Sequence, residues 1–287
     1  MVTHSTSTNG SVDMRTSELA KTHDALQKRV KRLLRLDRGA HDDSELTREI
    51  LPFLRSLGSV ALIGGAIRDV AREGQRGFSS DLDFVVFRSQ RDEFIKQMEV
   101  WKGIRNRFGG YALNRFSIKI DLWHIEDTWA KTAGYVTVSE PADLLKCTFF
   151  DWDSAIFDLE SGRLVVLSDY FERLSLNVMD IRLEENPNPM GSLVRALRRA
   201  AMWHVRFGPR LTAFSRRCMN EMRWEDLVAL DARAFARPIL RQLEKGRLLE
   251  KLSSPISCSI GEVTLPVPER YQMDLPLASE ASNLSPS

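Results

Sequence analysis

The chain has no long apolar run and no apolar leader. No stretch of its 287 residues approaches the roughly 20 uninterrupted apolar residues that a membrane-spanning helix requires. The N-terminus is polar and rich in Ser and Thr, and it lacks the apolar segment of a secretory signal peptide. We therefore expect a cytoplasmic protein that makes no use of a membrane.

Cysteine is also scarce. The three cysteines, Cys147, Cys218 and Cys258, form an odd set without the spacing of a metal site. Neither a disulfide framework nor a zinc site is indicated, and nothing in the sequence supports a Ser or Cys nucleophile. We interpret the cysteines as ordinary reduced thiols.

The net charge of +2 conceals two basic segments. Residues 28 to 38 hold six Lys and Arg against one Asp, and the segment from 191 to 251 is also strongly basic. Basic segments on either side of an acidic core are typical of an enzyme that binds polyanions. The alternative interpretation is a pair of solvated helix faces.

Two aspartates separated by one residue open a strand-like run at Ser80. Side chains alternate between the two faces of a strand, so Asp81 and Asp83 would share one face while the apolar residues around them point into a core. Two such carboxylates can share a pair of Mg²⁺ ions roughly 4 Å apart, which stabilises the entering and leaving oxygens of an in-line displacement. Taken alone, the pattern could also be a solvated strand end.

A glycine pair precedes this strand, in the sequence from Ile63 to Asp69. Without Cβ atoms, Gly64 and Gly65 let backbone N–H groups approach a triphosphate, and the helix that follows offers its positive N-terminal end. Arg68 would offset the charge of the phosphates, and we expect Asp69 to anchor Arg68 or the local turn. A glycine pair alone is usually only a turn.

The order of these segments resembles the head domain of class II tRNA nucleotidyltransferases and bacterial poly(A) polymerases. Their pattern is an apolar strand, Gly-Gly-Ala-x-Arg-Asp, and then Asp-x-Asp followed by an apolar strand. The resemblance covers about residues 45 to 210. It implies an α+β fold of the polymerase β-like nucleotidyltransferase type, with a mixed sheet, flanking helices and a helical neck or bundle after it. It also implies an enzyme that uses Mg²⁺ and a nucleoside triphosphate, ATP and/or CTP.

A third carboxylate is predicted on a neighbouring strand. The run from Phe116 to Trp123 alternates and places Asp121 on the face opposite the apolar residues. Members of the polymerase β superfamily often carry such a residue, so the resemblance implies that Asp121 joins Asp81 and Asp83 as a catalytic metal ligand. The alternative is a surface aspartate at a strand end.

The segment Ser192 to Phe207 is predicted to be a helix that Gly208 and Pro209 end. Its basic residues fall within about one third of the circumference, opposite the apolar ones. Part of this helix resembles the neck helix of the family. The residues predicted to bind nucleic acid are Arg195, Arg198, Arg199 and Arg206.

Two motifs of the family are incomplete in this chain. In one, an arginine pair that grips nucleotide phosphates precedes an acidic residue, and here Pro141 and Ala142 precede Asp143. In the other, an acidic element before the neck helix reads the base, and it is absent between Asn188 and Ser192. The chain must therefore either supply that charge from elsewhere or bind its nucleotide differently.

The sequence divides into five parts. They are a disordered N-terminus (1–16), a basic amphipathic helix and turn (17–44), a nucleotidyltransferase head (45–168), a helical neck-like domain (169–252) and an extended or disordered tail (253–287).

The predicted function is metal-dependent transfer of a nucleoside monophosphate from a nucleoside triphosphate to an acceptor hydroxyl, with release of pyrophosphate. The predicted acceptor is an RNA 3′ end, tRNA-like, as in tRNA processing. Two alternatives remain: a standalone toxin or antiphage nucleotidyltransferase that makes a signalling nucleotide, and a non-catalytic module that binds nucleotide or RNA.

Overall fold

The computed structural model describes residues 19–36, 44–75, 80–106, 108–254 and 262–266. The predicted disordered N-terminus, 1–16, and most of the predicted tail lie outside these ranges. Among the described helices, none has both the length and the apolar character needed to cross a membrane.

Nine strands and ten α-helices make up the described part of the chain. The strands are β1 (Ser59–Ile63), β2 (Leu82–Phe87), β3 (Ile104–Arg105), β4 (Tyr111–Leu113), β5 (Ile120–His124), β6 (Ala155–Asp158), β7 (Leu164–Val166), β8 (Val178–Met179) and β9 (Arg206–Phe207). The α-helices are α1 (His23–Leu33), α2 (Leu51–Ser56), α3 (Gly65–Glu73), α4 (Arg91–Val100), α5 (Trp129–Thr132), α6 (Tyr170–Ser175), α7 (Pro189–Trp203), α8 (Pro209–Glu221), α9 (Trp224–Ala234) and α10 (Lys245–Ser253). A π-helical turn precedes α2 (Leu46–Ile50), and 3₁₀ turns occupy Ile125–Asp127, Pro141–Lys146, Asp151–Asp153 and Leu240–Gln242.

Seven strands form one mixed sheet in the order β3-β4-β5-β2-β1-β6-β7. Strands β2 and β5 run parallel, whereas the other neighbouring pairs in this sheet are antiparallel. Helices flank the sheet, and a mostly helical region follows it. The structure therefore confirms the predicted α+β fold with a mixed sheet.

The two faces of the sheet are covered differently. Leu62 and Phe84 point to one face, into the large apolar core that the helices build. Ala61 and Val85 point to the other face, into a smaller cluster that includes Leu144 of the turn Pro141–Lys146. Asp83 of β2 lies on this second face, because alternation along the strand places Asp83 and Val85 together.

The first basic segment forms a shorter helix than the predicted amphipathic helix. The hydroxyl of Thr22 accepts a hydrogen bond from the Ala25 N–H (3.2 Å) and caps α1. Leu26 and Val30 are buried, so the apolar stripe packs as the periodicity predicts.

Helix α7 is displaced from its predicted bounds. It begins at Pro189, where the Asn188 side chain accepts a hydrogen bond from the Gly191 N–H (3.0 Å), and it ends at Trp203. His204 ends it in the left-handed conformation, with φ of 53°. The predicted helix over 192–207 is therefore wrong at both ends, and Arg206 lies in β9.

Part of the predicted tail packs onto the fold. Val263 forms an antiparallel bridge with Phe207 of β9, and both Val263 and Leu265 are buried. One continuous apolar core includes residues from Ala20 to Leu265, so the helical region packs directly against the sheet region.

Candidate active site

Asp83 and Asp121 are direct neighbours across the parallel pair β2–β5. Residues in register on adjacent strands share a face, so both carboxyl groups project from the same side of the sheet. Together with Asp81, they line a cavity of about 500 Å³. The structure thus brings all three predicted acidic residues to one cavity.

The pKa values of Asp83 and Asp121 are both raised. Burial is the largest cause that raises the pKa of Asp83 well above its ordinary value, and the charges of Asp121 and Asp81 add to it. Burial also raises the pKa of Asp121 to about 6, against the opposing effect of Lys119. The site therefore concentrates more negative charge than the chain neutralises by itself.

Asp81 forms an ion pair with a lysine. The Lys119 Nζ lies 3.2 Å from the Asp81 Oδ2. Lys119 precedes Asp121 by two residues, so an extended chain places their side chains on the same face. The ammonium group therefore partly neutralises the acidic end of the cavity.

The donor set suits a hard divalent cation. Carboxylate oxygens are the ligands that Mg²⁺ prefers, and Mg²⁺ is usually held by one or two carboxylates together with waters and substrate phosphates. Within the described ranges, no group of three or more His, Cys, Asp or Glu side chains is arranged to hold a metal ion by itself. The residues present fit Mg²⁺ in a site that substrate completes, and the three metal ligands stay a prediction.

The glycine pair forms the turn between β1 and α3. Gly64 has φ of 76°, a conformation that favours glycine, and it stands at the N-cap of α3. A Cβ atom on Gly65 would lie 3.0 Å from the Ser80 hydroxyl oxygen, so the close approach of these two segments favours glycine there. Both glycines line the cavity, at the helix end where unpaired N–H groups favour anions.

Arg68 is held by two carboxylates. Its Nη2 donates to Asp69 (2.7 Å) and its Nη1 donates to Asp153 (2.6 Å), and the side chain is almost completely buried. Asp69 therefore anchors Arg68, as the sequence predicts. Contact of Arg68 with a triphosphate stays a prediction. The structure shows that Arg68 lines the cavity and binds Asp153, which lines it too.

Asp153 is a member of the site that the sequence did not reveal. Its second carboxylate oxygen lies 3.4 Å from the guanidinium of Arg199. Burial would raise the pKa of Asp153, but the charges of Arg199 and Arg68 outweigh burial and lower it. No local sequence pattern predicts this position for Asp153. The 3₁₀ turn Asp151–Asp153 and partners distant in sequence place its carboxylate at the cavity.

The predicted basic face of the neck helix is only partly present. Arg198 is buried, and its Nη1 donates to Asp231 (2.7 Å). Arg199 is also buried, against Asp153, while Arg206 forms an ion pair with Glu262. The predicted basic face is therefore wrong at Arg198 and Arg199, because Asp231 and Asp153 neutralise these two arginines inside the fold. Arg195 lines the cavity.

The segment Pro141–Lys146, which corresponds to the arginine-pair motif, forms a 3₁₀ turn. The Asp143 carboxylate accepts hydrogen bonds from the Ser139 N–H (3.0 Å) and from Lys146 Nζ (2.8 Å). The pKa of Asp143 is lowered to about 2, first by the Lys146 hydrogen bond and then by backbone hydrogen bonds. Asp143 therefore caps a 3₁₀ turn, and Cys147 in the same segment lines the cavity.

Apolar and aromatic residues cover the rest of the cavity wall. The aromatic residues are Phe108, Trp123, Trp129, Phe149, Phe150 and Phe235. A polar group from the start of the helical region lies in the same wall and consists of Glu185, Asn186, Asn188, Ser192 and Arg195. The cavity thus combines an acidic end, an anion-binding turn and flat apolar surfaces.

Solved structures similar to the chain exist. No protein-family model and no curated protein sequence matches the chain.

The chain is similar to a CCA-adding enzyme solved with CTP, with a TM-score of 0.45 and 18% identity over 67% of this chain and 46% of that one. It is similar to the Thermotoga maritima CCA-adding enzyme complexed with tRNA, with a TM-score of 0.44 and 20% identity over 69% of this chain and 46% of that one. It is also similar to a tRNA nucleotidyltransferase complexed with a primer tRNA and an incoming ATP analogue, with a TM-score of 0.43 and 17% identity over 62% and 53% of the two chains. The chain therefore spans about half the length of these structures, with shares of 46% to 53%.

Proposed function

We propose that the protein is a metal-dependent nucleotidyltransferase. It transfers a nucleoside monophosphate from a nucleoside triphosphate to an acceptor hydroxyl and releases pyrophosphate. One observation carries this proposal: Asp83 and Asp121 stand in register on parallel strands, and both share a cavity with the glycine turn at the start of α3. Carboxylates for a cation and N–H groups for phosphates are the two requirements of phosphoryl transfer.

Each residue has a role in this proposal. Asp81, Asp83 and Asp121 would hold Mg²⁺, which supplies positive charge to the α-phosphate and to the entering and leaving oxygens. The N–H groups after Gly64 and Gly65 bind the departing phosphates.

The chemistry exchanges one phosphorus–oxygen bond for another. The acceptor oxygen forms a bond to the α-phosphorus while the bond from that phosphorus to the bridging oxygen breaks, and pyrophosphate leaves with the electron pair. Asp121 would assist the ion that activates the acceptor hydroxyl, whose proton is released to water as the bond to phosphorus forms. Asp121 lies at the acidic end of the cavity, beside Asp83.

The substrates follow from the resemblance rather than from the geometry. Solved neighbours are described in complex with CTP and with tRNA. We therefore propose ATP and/or CTP as the nucleotide and an RNA 3′ end, tRNA-like, as the acceptor. A cytoplasmic location belongs to the same proposal.

Labelled nucleotides test the proposal directly. The purified chain is incubated with each labelled nucleoside triphosphate and Mg²⁺, with and without total RNA. We expect label to enter RNA, and we expect Asp83→Asn to lower the rate by at least about a hundredfold because the transition-state charge loses its partner. Asp92→Asn is the matched control, since Asp92 is exposed in the first turn of α4.

Two other outcomes have distinct meanings. A small labelled product formed without RNA indicates synthesis of a signalling nucleotide and overturns the RNA acceptor. Retention of nucleotide or RNA without any product, equal in wild type and Asp83→Asn, overturns catalysis and favours a binding module.

A further inference from the structure

Trp123 lies on the same strand and the same face as Asp121. The two residues are separated by one position on β5, and both line the cavity. Positions i and i+2 of a strand are about 7 Å apart. This separation is on the scale of a single nucleotide, so one residue can face the sugar while the other faces the base.

The indole of Trp123 is held in place by a glycine. A Cβ atom on Gly110 would overlap the indole nitrogen of Trp123, so only glycine lets the ring lie against that backbone. The Asn106 side chain fixes the turn by accepting hydrogen bonds from the Phe108 N–H (2.9 Å) and the Gly110 N–H (3.1 Å). The same turn places Phe108 in the cavity wall. An aromatic surface fixed in advance loses little entropy when a ligand binds.

The topology assigns this surface to the acceptor. In the sheet, β2 lies between β1 and β5, so the glycine turn after β1 is on one side of Asp83 and Asp121 is on the other. In an in-line displacement the entering oxygen approaches opposite the leaving group. Because the pyrophosphate leaves at the glycine turn, the acceptor enters from the β5 side, where Trp123 stands.

Trp123 has a packing role as well. Part of it contacts the smaller apolar cluster, which contains Val85 and Ile125. The ring is nevertheless only half-buried, and the remainder lines the cavity. Core packing therefore accounts for one part of the indole and leaves a flat apolar surface beside Asp121.

We propose that Trp123, supported by Phe108, stacks on the terminal base of the acceptor, which is an unpaired 3′ end of a nucleic-acid strand. This inference rests on the proposed function and adds the acceptor's binding determinant to it. Stacking on an aromatic ring tolerates any base, because every base has a flat apolar face. The site therefore recognises an unpaired 3′-terminal nucleotide rather than a particular sequence.

An acceptor without its last base tests the proposal. Two 5′-labelled oligoribonucleotides are compared, one intact and one with an abasic 3′-terminal nucleotide, by fluorescence anisotropy without nucleotide. We expect wild type to bind the abasic strand about ten- to a hundredfold more weakly. Trp123→Ala binds both strands with the same low affinity, and Trp123→Phe restores most of the difference.

Trp224→Ala is the matched control, since Trp224 is also half-buried but lies at the start of α9, outside this cavity wall. Equal affinity of wild type for the two strands overturns the proposal, and so does a Trp123→Ala protein that still discriminates between them. Absence of any binding of the intact strand overturns it too. The measurement involves no transfer, so the labelled-nucleotide assay above judges the proposed function separately.

Discussion

Two carboxyl groups in the same cavity wall have opposite environments. Asp83 is surrounded by Asp81 and Asp121, and its pKa is raised. Asp153 lies between Arg68 and Arg199, and its pKa is lowered. The chain thus neutralises one buried acid with its own cations and leaves the other in an excess of negative charge. The comparison separates a carboxylate that is paired with cations of the chain from one that lies among other carboxylates.

A further buried cation lies near Arg68 and Arg199. Arg72 lies between two indole rings, with its guanidinium carbon 4.8 Å from the centre of Trp152 and 4.7 Å from the centre of Trp203. Burial lowers the pKa of Arg72 to about 10. Guanidinium groups, aromatic faces and carboxylates alternate here, so this junction between the sheet and α7 is built for rigidity.

The largest expected effect is on stability, from Asp153→Asn. The substitution leaves Arg68 and Arg199 buried without their shared carboxylate, so we expect the free energy of unfolding to fall by about 3–5 kcal/mol. Asp83→Asn is the paired control: it removes a charge from among like charges, and the free energy of unfolding should stay unchanged or rise. Urea denaturation of both variants measures the contrast, and an equal loss in both would remove the distinction drawn here.

The second effect is a dependence of the unfolding free energy on pH that comes from Asp121. In the unfolded chain this carboxyl group releases its proton near pH 3.8, and in the folded chain near pH 6. Between these values the folded state binds more protons, so the contribution of Asp121 to stability falls as pH rises, by at most about 3 kcal/mol. The difference in unfolding free energy between wild type and Asp121→Asn, measured from pH 4 to 7, should show this slope.

Magnesium sharpens the same comparison. Mg²⁺ competes with protons for the carboxylates, so adding it should raise the melting temperature of wild type more at pH 7 than at pH 5. Asp121→Asn should show a smaller rise. A rise that is equal in both proteins at both pH values would place the ion elsewhere.

The smallest effect is a difference in nucleotide affinity between variants of two arginines from the predicted basic face. Arg195 lines the cavity, so Arg195→Gln should weaken binding of a fluorescent ATP analogue by about three- to tenfold. Arg206 is occupied by Glu262 and by the Leu176 carbonyl (2.6 Å), so Arg206→Gln should change the affinity by less than about twofold. An equal loss of affinity in the two variants would show that Arg206 also contributes to binding.

The same contrast shows what the sequence could predict. The glycine turn, the spacing of Asp81 and Asp83 and the strand β1 are local features, and the structure has them where the pattern predicts them. The partners of Asp153 lie 85 and 46 residues away, at Arg68 and Arg199, and no periodicity reports such contacts.

Helix α7 is present as predicted, but its bounds and part of its basic face differ from the prediction for related reasons. An amphipathic pattern assigns arginine to solvent, yet Asp231 neutralises Arg198 inside the fold, 33 residues further on. The helix also ends at His204, which is in the left-handed conformation. The sequence does not predict a helix end there, because glycine is the usual residue in that conformation. Gly208 and Pro209 mark the start of the following helix instead.

The position of Arg72 determines whether fragments of the cleaved chain stay associated. Its two ring partners belong to different parts of the chain, Trp152 before the predicted boundary at 168 and Trp203 after it. The guanidinium of Arg199 in α7 lies 3.4 Å from the carboxylate of Asp153, across the same boundary. A protease that nicks the connection between α6 and α7 would therefore leave two fragments that stay associated and migrate as one particle, and neither fragment would be soluble when produced alone.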